Sequence, residues 1–259
     1  MGTSDWIQTG NRAFSAGDYA RALLCYQRAL ELVRGDPDLL ADLHGNLANV
    51  HAVTGQGALA VEHYQKAIAI LRGTEDYGRL GTTFVNLGNL HADQGDPASA
   101  IHFYQQATVL LESQEKWAEL VTLYGNLSLM SLKREDPNAA LQYAEKGAAL
   151  AREIHHPERL ADALHRLAKA NGALGRVQIA EGISQAAYRL YAQANNDMGC
   201  AATLYHQASL YEVLGRLTEA IRCLERVVAI DERYDLPKLA ENREWLSRLR
   251  RKADPERPT

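Results

Sequence analysis

The sequence repeats itself with a period of 40 residues. The stretch "NLGNLHADQGDPASAIHFYQQA" (86–107) is preceded by "NLANVHAVTGQGALAVEHYQKA" (46–67) and followed by "NLSLMSLKREDPNAALQYAEKG" (126–147). The same frame continues as "RLAKANGALGRVQIAEGISQAA" (166–187) and "HQASLYEVLGRLTEAIRCLERV" (206–227), while "QTGNRAFSAGDYARALLCYQRA" (8–29) stands 38 residues before its successor. Six copies cover nearly all of the 259 residues. Length alone would allow one or two globular domains. The repeat overrides that expectation, because stacked units of this size cannot bury their apolar faces alone and form one elongated domain.

Within each copy, apolar and small residues recur at helical spacing on either side of a break. The break carries Gly17, Gly55, Gly95, Gly175 and Gly215. Glycine tolerates the left-handed conformation that ends a helix. Pro97 and Pro137 follow in the third and fourth copies, at the start of a helix, where a missing N–H costs nothing. Each copy is therefore expected to be a helical hairpin. The site occupied by Gly10, Ala48, Gly88, Ser128, Ala168 and Ala208 is always small. So is the site of Ala22, Ala60, Ala100, Ala140, Ala180 and Ala220. Small residues at two fixed sites imply close helix approach, with Leu47, Leu87, Leu127 and Leu167, and Tyr26, Tyr64 and Tyr104, filling the space between.

On these residues the chain resembles the tetratricopeptide repeat family. Leu87, Gly88, Gly95, Ala100, Tyr104 and Ala107 match its pattern of Leu-Gly, turn Gly, Ala, aromatic and second Ala. The 40-residue period is similar to the long-helix subclass of kinesin light chains, Leu-Gly-Asn repeat adaptors and bacterial regulators. The resemblance implies an all-α, right-handed α-α superhelical solenoid of six hairpins (about 4–34, 42–72, 82–113, 121–152, 161–192 and 200–231). A capping helix over 235–252 and a disordered tail over 253–259 complete the expected organisation. In the capping stretch "DLPKLAENREWLSRLRRK", Asp235 is expected to cap, Pro237 to occupy the first turn, and Leu239, Trp245, Leu246 and Leu249 to form the apolar stripe. The pattern weakens from the fourth copy. Glu135 replaces the turn glycine, and Ala144, Ser184 and Leu224 replace the aromatic, which means either compensating tight packing or a softer segment.

In such a solenoid the first helices line the concave wall. Asn86 and Asn89 share one face there, and the equivalent positions hold Asn11, Asn46, Asn49 and Asn126. Asparagine is a mediocre helix former, so propensity does not account for the column. A side-chain amide both donates and accepts, matching a peptide group in either direction. The resemblance implies that these six hold the backbone of an extended partner segment; the alternative is that they hydrogen-bond one another or the neighbouring backbone. Toward the last three copies the face carries Lys133, His165, Arg166, Lys169 and His206, interrupted by Asp162 and Glu212. That end is expected to receive an acidic segment or a carboxylate, with Arg166 suited to bidentate contact, or else is a solvated mixed-charge face. Members of the family that clamp a carboxylate carry a lysine where Ile7 stands here, against that clamp.

The rest of the sequence narrows the function classes. With 28 Lys and Arg, 32 Asp and Glu and a net charge of −4, the chain has no basic block for nucleic-acid phosphates. No run approaches the roughly 18 apolar residues of a membrane span, and no signal peptide is visible. Cys25, Cys200 and Cys223 sit in helical pattern as buried thiols, which fits a reducing, cytoplasmic setting. His51 and His91 are expected to pack against the second helix, and His155-His156 lacks partners for a metal site. No phosphate loop, dinucleotide loop or nucleophile elbow occurs. The expectation is a non-enzymatic adaptor without cofactor, and the rival is a self-associating scaffold.

Overall fold

The computed structural model describes residues 2–254. The chain divides into two compact units, Met1–Lys116 and Trp117–Thr259. The first holds α1 (Thr3–Ser15), α2 (Tyr19–Leu32), α3 (Pro37–Val53), α4 (Gly57–Gly73), α5 (Tyr77–Asp93) and α6 (Pro97–Ser113). The second holds α7 (Trp117–Lys133), α8 (Pro137–Glu153), α9 (Pro157–Ala173), α10 (Val177–Gln193), α11 (Asp197–Val213), α12 (Leu217–Tyr234) and α13 (Leu239–Ala253). No strand occurs among the described residues. Consecutive helices pair as hairpins, and within each unit the hairpins stack on one another. This is an all-α solenoid architecture.

The period has a simple origin. From α3 to α11 every helix is 17 residues long, and helices are joined by three-residue turns, so two helices and two turns fill one repeat. The middle turn residue is left-handed throughout. Gly17, Gly55, Gly95, Gly175 and Gly215 lie at φ between 71° and 78°, and Glu135 takes the same conformation at 59°. Between hairpins the same role falls on Glu75, Glu115, His155 and Asn195, non-glycines that accept the steric cost of that region. The last residue of the turn caps the next helix: Asp36, Asp76, Asp96, Asp136 and Asn196 each accept the N3 amide, worth about 1 kcal/mol apiece.

Both small sites lie where helices touch. Ala22, Ala60, Ala100, Ala140, Ala180 and Ala220 are wholly inaccessible, as are Ala48, Ser128, Ala168 and Ala208. At Gly88 a Cβ would lie 2.5 Å from the Tyr104 ring, so glycine is what lets that ring lie flat on α5. In the first unit Arg79 ties neighbouring hairpins together, reaching Asp42 at 3.0 Å and also Asp38 on α3 while holding Asp76 at 2.7 Å.

α13 covers the last hairpin. Leu246 and Leu249 join a core with Leu204, Tyr211, Leu224 and Val227, while Leu239 and Trp245 pack at its edge. Glu212 accepts from Trp245 Nε1 and Lys252 Nζ, both at 2.7 Å. The start of this helix differs from the expectation for Asp235. Asp235 is the left-handed C-cap of α12 (φ 49°), Pro237 precedes the helix, and Lys238 holds the N-cap position. A hydrogen bond from the Leu236 amide to the Asp231 carbonyl closes α12, which uses Asp235 for stopping one helix rather than starting the next. Of the tail 253–259, Ala253 ends α13, and residues 255–259 lie outside the described ones.

Candidate functional site on the first helices

The asparagines fall into two rows with different surroundings. Asn11, Asn49 and Asn89, one repeat apart, each accept a hydrogen bond through Oδ1 from a tyrosine of their own hairpin. Tyr26 OH lies 2.8 Å from Asn11, Tyr64 OH 2.6 Å from Asn49, and Tyr104 OH 2.7 Å from Asn89. The tyrosines are buried, and burial pushes Tyr64 and Tyr104 up to about 12, so each hydroxyl stays protonated as a donor. Three of the six asparagines thus have a structural partner. It is neither another asparagine nor the backbone. Their Oδ1 is taken, which fixes the amide plane and leaves Nδ2 as the group to offer.

The other row is Asn46, Asn86 and Asn126. All three are half-buried, and none shares in a side-chain hydrogen bond among the described residues. The same repeat position holds Gln8, Arg166 and His206, so it is polar in all six copies. In the first unit, Asn49, Asn86 and Asn89 line one cleft of about 410 Å³ together with Phe14, Tyr64, Asp93 and Gln94. Asn11 and Asn46 lie outside it.

In the second unit Arg166 lies against Gly125 of α7, where a Cβ would be 3.7 Å from its Cγ, one residue from Asn126. Lys169 and His206 line a larger cleft of about 650 Å³ with His165, Tyr205 and Lys238. Lys133, exposed in the last turn of α7, lies outside that cleft. Burial, then the positive charges of Arg166 and Lys169, holds His165 down at about 3. Burial and Lys169 hold His206 at about 4. Lys169 is itself lowered, by burial and then by Arg166 and Lys238. His51 and His91 pack as expected: His51 stacks on His63 and His91 on Phe103, both from second helices. No cluster of metal-ligating side chains occurs among the described residues, and the three cysteines are buried and free.

Tetratricopeptide repeat models match residues 12–40, 39–113 and 201–234. The chain is a tetratricopeptide repeat protein. No curated protein matches its sequence. Among solved structures, BtubC (BKLC) from P. vanneervenii is 24% identical, with a TM-score of 0.65 over 72% of this chain and 78% of that one. A signal transduction ATPase with a tetratricopeptide repeat sensor from Pyrococcus horikoshii superposes at a TM-score of 0.82 with 13% identity over 94% of this chain; the chain spans only 38% of that protein. A Rap protein complexed with Competence and Sporulation Factor is 16% identical, with a TM-score of 0.60 over 97% of this chain and 76% of that one. These likenesses show the fold. No helix among the described residues is long and apolar enough to cross a membrane.

The repeats themselves carry the signal that separates the two rows. Asn11, Asn49 and Asn89 each have a tyrosine fifteen residues on. In the last three copies that asparagine becomes Leu129, Lys169 and Ser209, and the tyrosine becomes Ala144, Ser184 and Leu224. Asparagine and tyrosine come and go together, as partners in one bond must. The row of Asn46, Asn86 and Asn126 shows no such coupling to a second-helix residue.

Proposed function

We propose that this protein is a non-enzymatic, cytoplasmic adaptor that holds an extended segment of a partner protein along its first helices. The observation that carries the reading is the row Gln8, Asn46, Asn86, Asn126, Arg166 and His206. It is polar in every copy, yet Asn46, Asn86 and Asn126 have no hydrogen-bonding role within the described fold. Adjacent packed helices lie roughly 8–10 Å apart, and an extended peptide rises roughly 3.3 Å per residue, so one repeat matches about three ligand residues. The amides Asn46, Asn86 and Asn126 serve the ligand backbone, and the tyrosine-anchored amides Asn11, Asn49 and Asn89 add oriented Nδ2 donors beside them. Lys133, Arg166, Lys169 and His206 make the second unit the place for an acidic stretch. Support also comes from the Rap structure, in which a related solenoid is complexed with a factor.

The test is selection of displayed peptides on the wild-type protein and on Asn46→Ala/Asn86→Ala/Asn126→Ala. Loss of binders with unchanged helicity and melting is the expected result. Equal retention by a folded variant refutes the reading. Light scattering on the same samples addresses the rival scaffold, which a concentration-independent monomer excludes.

A further inference from the structure

The 650 Å³ cleft of the second unit is of the size that holds a small organic group, roughly 300–1,000 Å³. Its walls come from α9, α11, α12, the α12–α13 connection and α13. Met198 and Tyr205, 43% and 42% exposed, are among its large apolar side chains. Three polar groups on it are unmatched. His165 is 9% exposed, and its Nδ1 is buried without a hydrogen-bond partner; His206 Nδ1 is in the same state. Lys169 makes no ion pair among the described residues, although Arg166 and Lys238 lie near enough to disfavour its charge. The one acid on the wall, Asp231, accepts from Asn242 Nδ2 at 2.7 Å. Buried polar atoms without partners are costly, and an unpaired lysine with two unpartnered imidazole nitrogens beside apolar walls fits a ligand with a hydrogen-bonding anionic end and an apolar body.

We propose that this cleft takes an apolar group ending in a carboxylate, the carboxylate meeting Lys169 and the His165–His206 pair and the apolar body lying along Met198 and Tyr205. The proposal deepens the reading of the first-helix face as a ligand-binding one. Two sources share this chemistry, the C-terminal residue of a chain and a free organic acid.

Four probes separate them: 3-phenylpropionate, its amide, and the peptide N-acetyl-Ala-Ala-Ala-Phe as free acid and as amide. Methyl-labelled methionine gives signals from only three residues, with Met198 in the cleft and Met130 buried in α7. Saturable shifts of Met198 with Met130 unmoved are expected for the acids, with the amides and Lys169→Met weaker by roughly tenfold or more. Tighter binding of the peptide acid assigns a chain end, and tighter binding of 3-phenylpropionate assigns a small acid. Acid and amide binding alike, or no Met198 shift with either acid, overturns the proposal even if Lys169→Met does not fold. Asn46→Ala/Asn86→Ala/Asn126→Ala leaves the cleft intact, so failure of the peptide-groove reading and failure of this one are distinguishable.

Discussion

Replacing Asn89 by leucine, the residue the chain itself carries one repeat later at 129, tests the tyrosine–asparagine bond directly. Tyr104 is 2% exposed and its hydroxyl donates to Asn89 at 2.7 Å. Leucine would cover that hydroxyl without accepting from it, leaving a buried donor unsatisfied, which costs about 1–3 kcal/mol. Tyr104→Phe alone loses one net hydrogen bond, about 0.5–1.5 kcal/mol, because the exposed Asn89 amide is rehydrated. Tyr104→Phe/Asn89→Leu removes both partners and is expected to cost no more than Tyr104→Phe, giving a coupling of about 1–3 kcal/mol. Urea unfolding followed by circular dichroism measures the cycle. Amide exchange in α5 and α6 localises it, since repeat arrays depart from two-state unfolding. Additivity within about 0.3 kcal/mol would refute the argument that Asn89 is held in place by Tyr104.

Three further outcomes follow from single sites. A Cβ at Gly199 would lie 2.2 Å from the Tyr191 ring, whereas one at Gly182 meets nothing within 4 Å; Gly199→Ala is expected to cost about 1–3 kcal/mol and Gly182→Ala to gain about 1 kcal/mol, read by thermal melting. His165 has its folded pKa lowered to about 3 against about 6.5 unfolded. Its contribution is therefore complete above the unfolded value and is lost as pH falls from about 6.5 toward 3, by about 2 kcal/mol at pH 5. His165→Gln should flatten the acid limb of the stability–pH curve, and an unchanged limb would contradict the burial argument.

How much of this was legible in the sequence depends on whether one helix or two decide a residue's role. Gly55, Gly95 and Gly175 announce their turns because a left-handed residue is a local requirement that glycine meets cheaply. Glu75 and His155 meet the same requirement without any local mark, since only the packing of the hairpins on either side imposes it. Asp235 departs from its expected role for a related reason: an aspartate near a proline suits a helix start, but the chain needs a left-handed stop for α12 first. The asparagine column was visible as a face, while its division into two rows depends on where second-helix hydroxyls reach.

That division also explains why the two units present different chemistry on equivalent positions. In the first unit the second position is bound to Tyr26, Tyr64 or Tyr104 and so must be a short acceptor, which asparagine supplies. Once Ser184 replaces the tyrosine in the fifth copy, the constraint on the partner position is gone. The buried tyrosine of that hairpin is instead Tyr191, which donates to Asp162 at 2.5 Å, four residues before Arg166. With its anchoring duty moved to Asp162, position 169 can carry a long cation, and Lys169 extends into the cleft lined by His206 and the α12–α13 connection. The loss of the tyrosine at this one position of the second helix is therefore what permits a charged site on the first helix, and restoring the pair with Lys169→Asn/Ser184→Tyr should remove probe binding; a folded variant that still binds the acid probes would break the link.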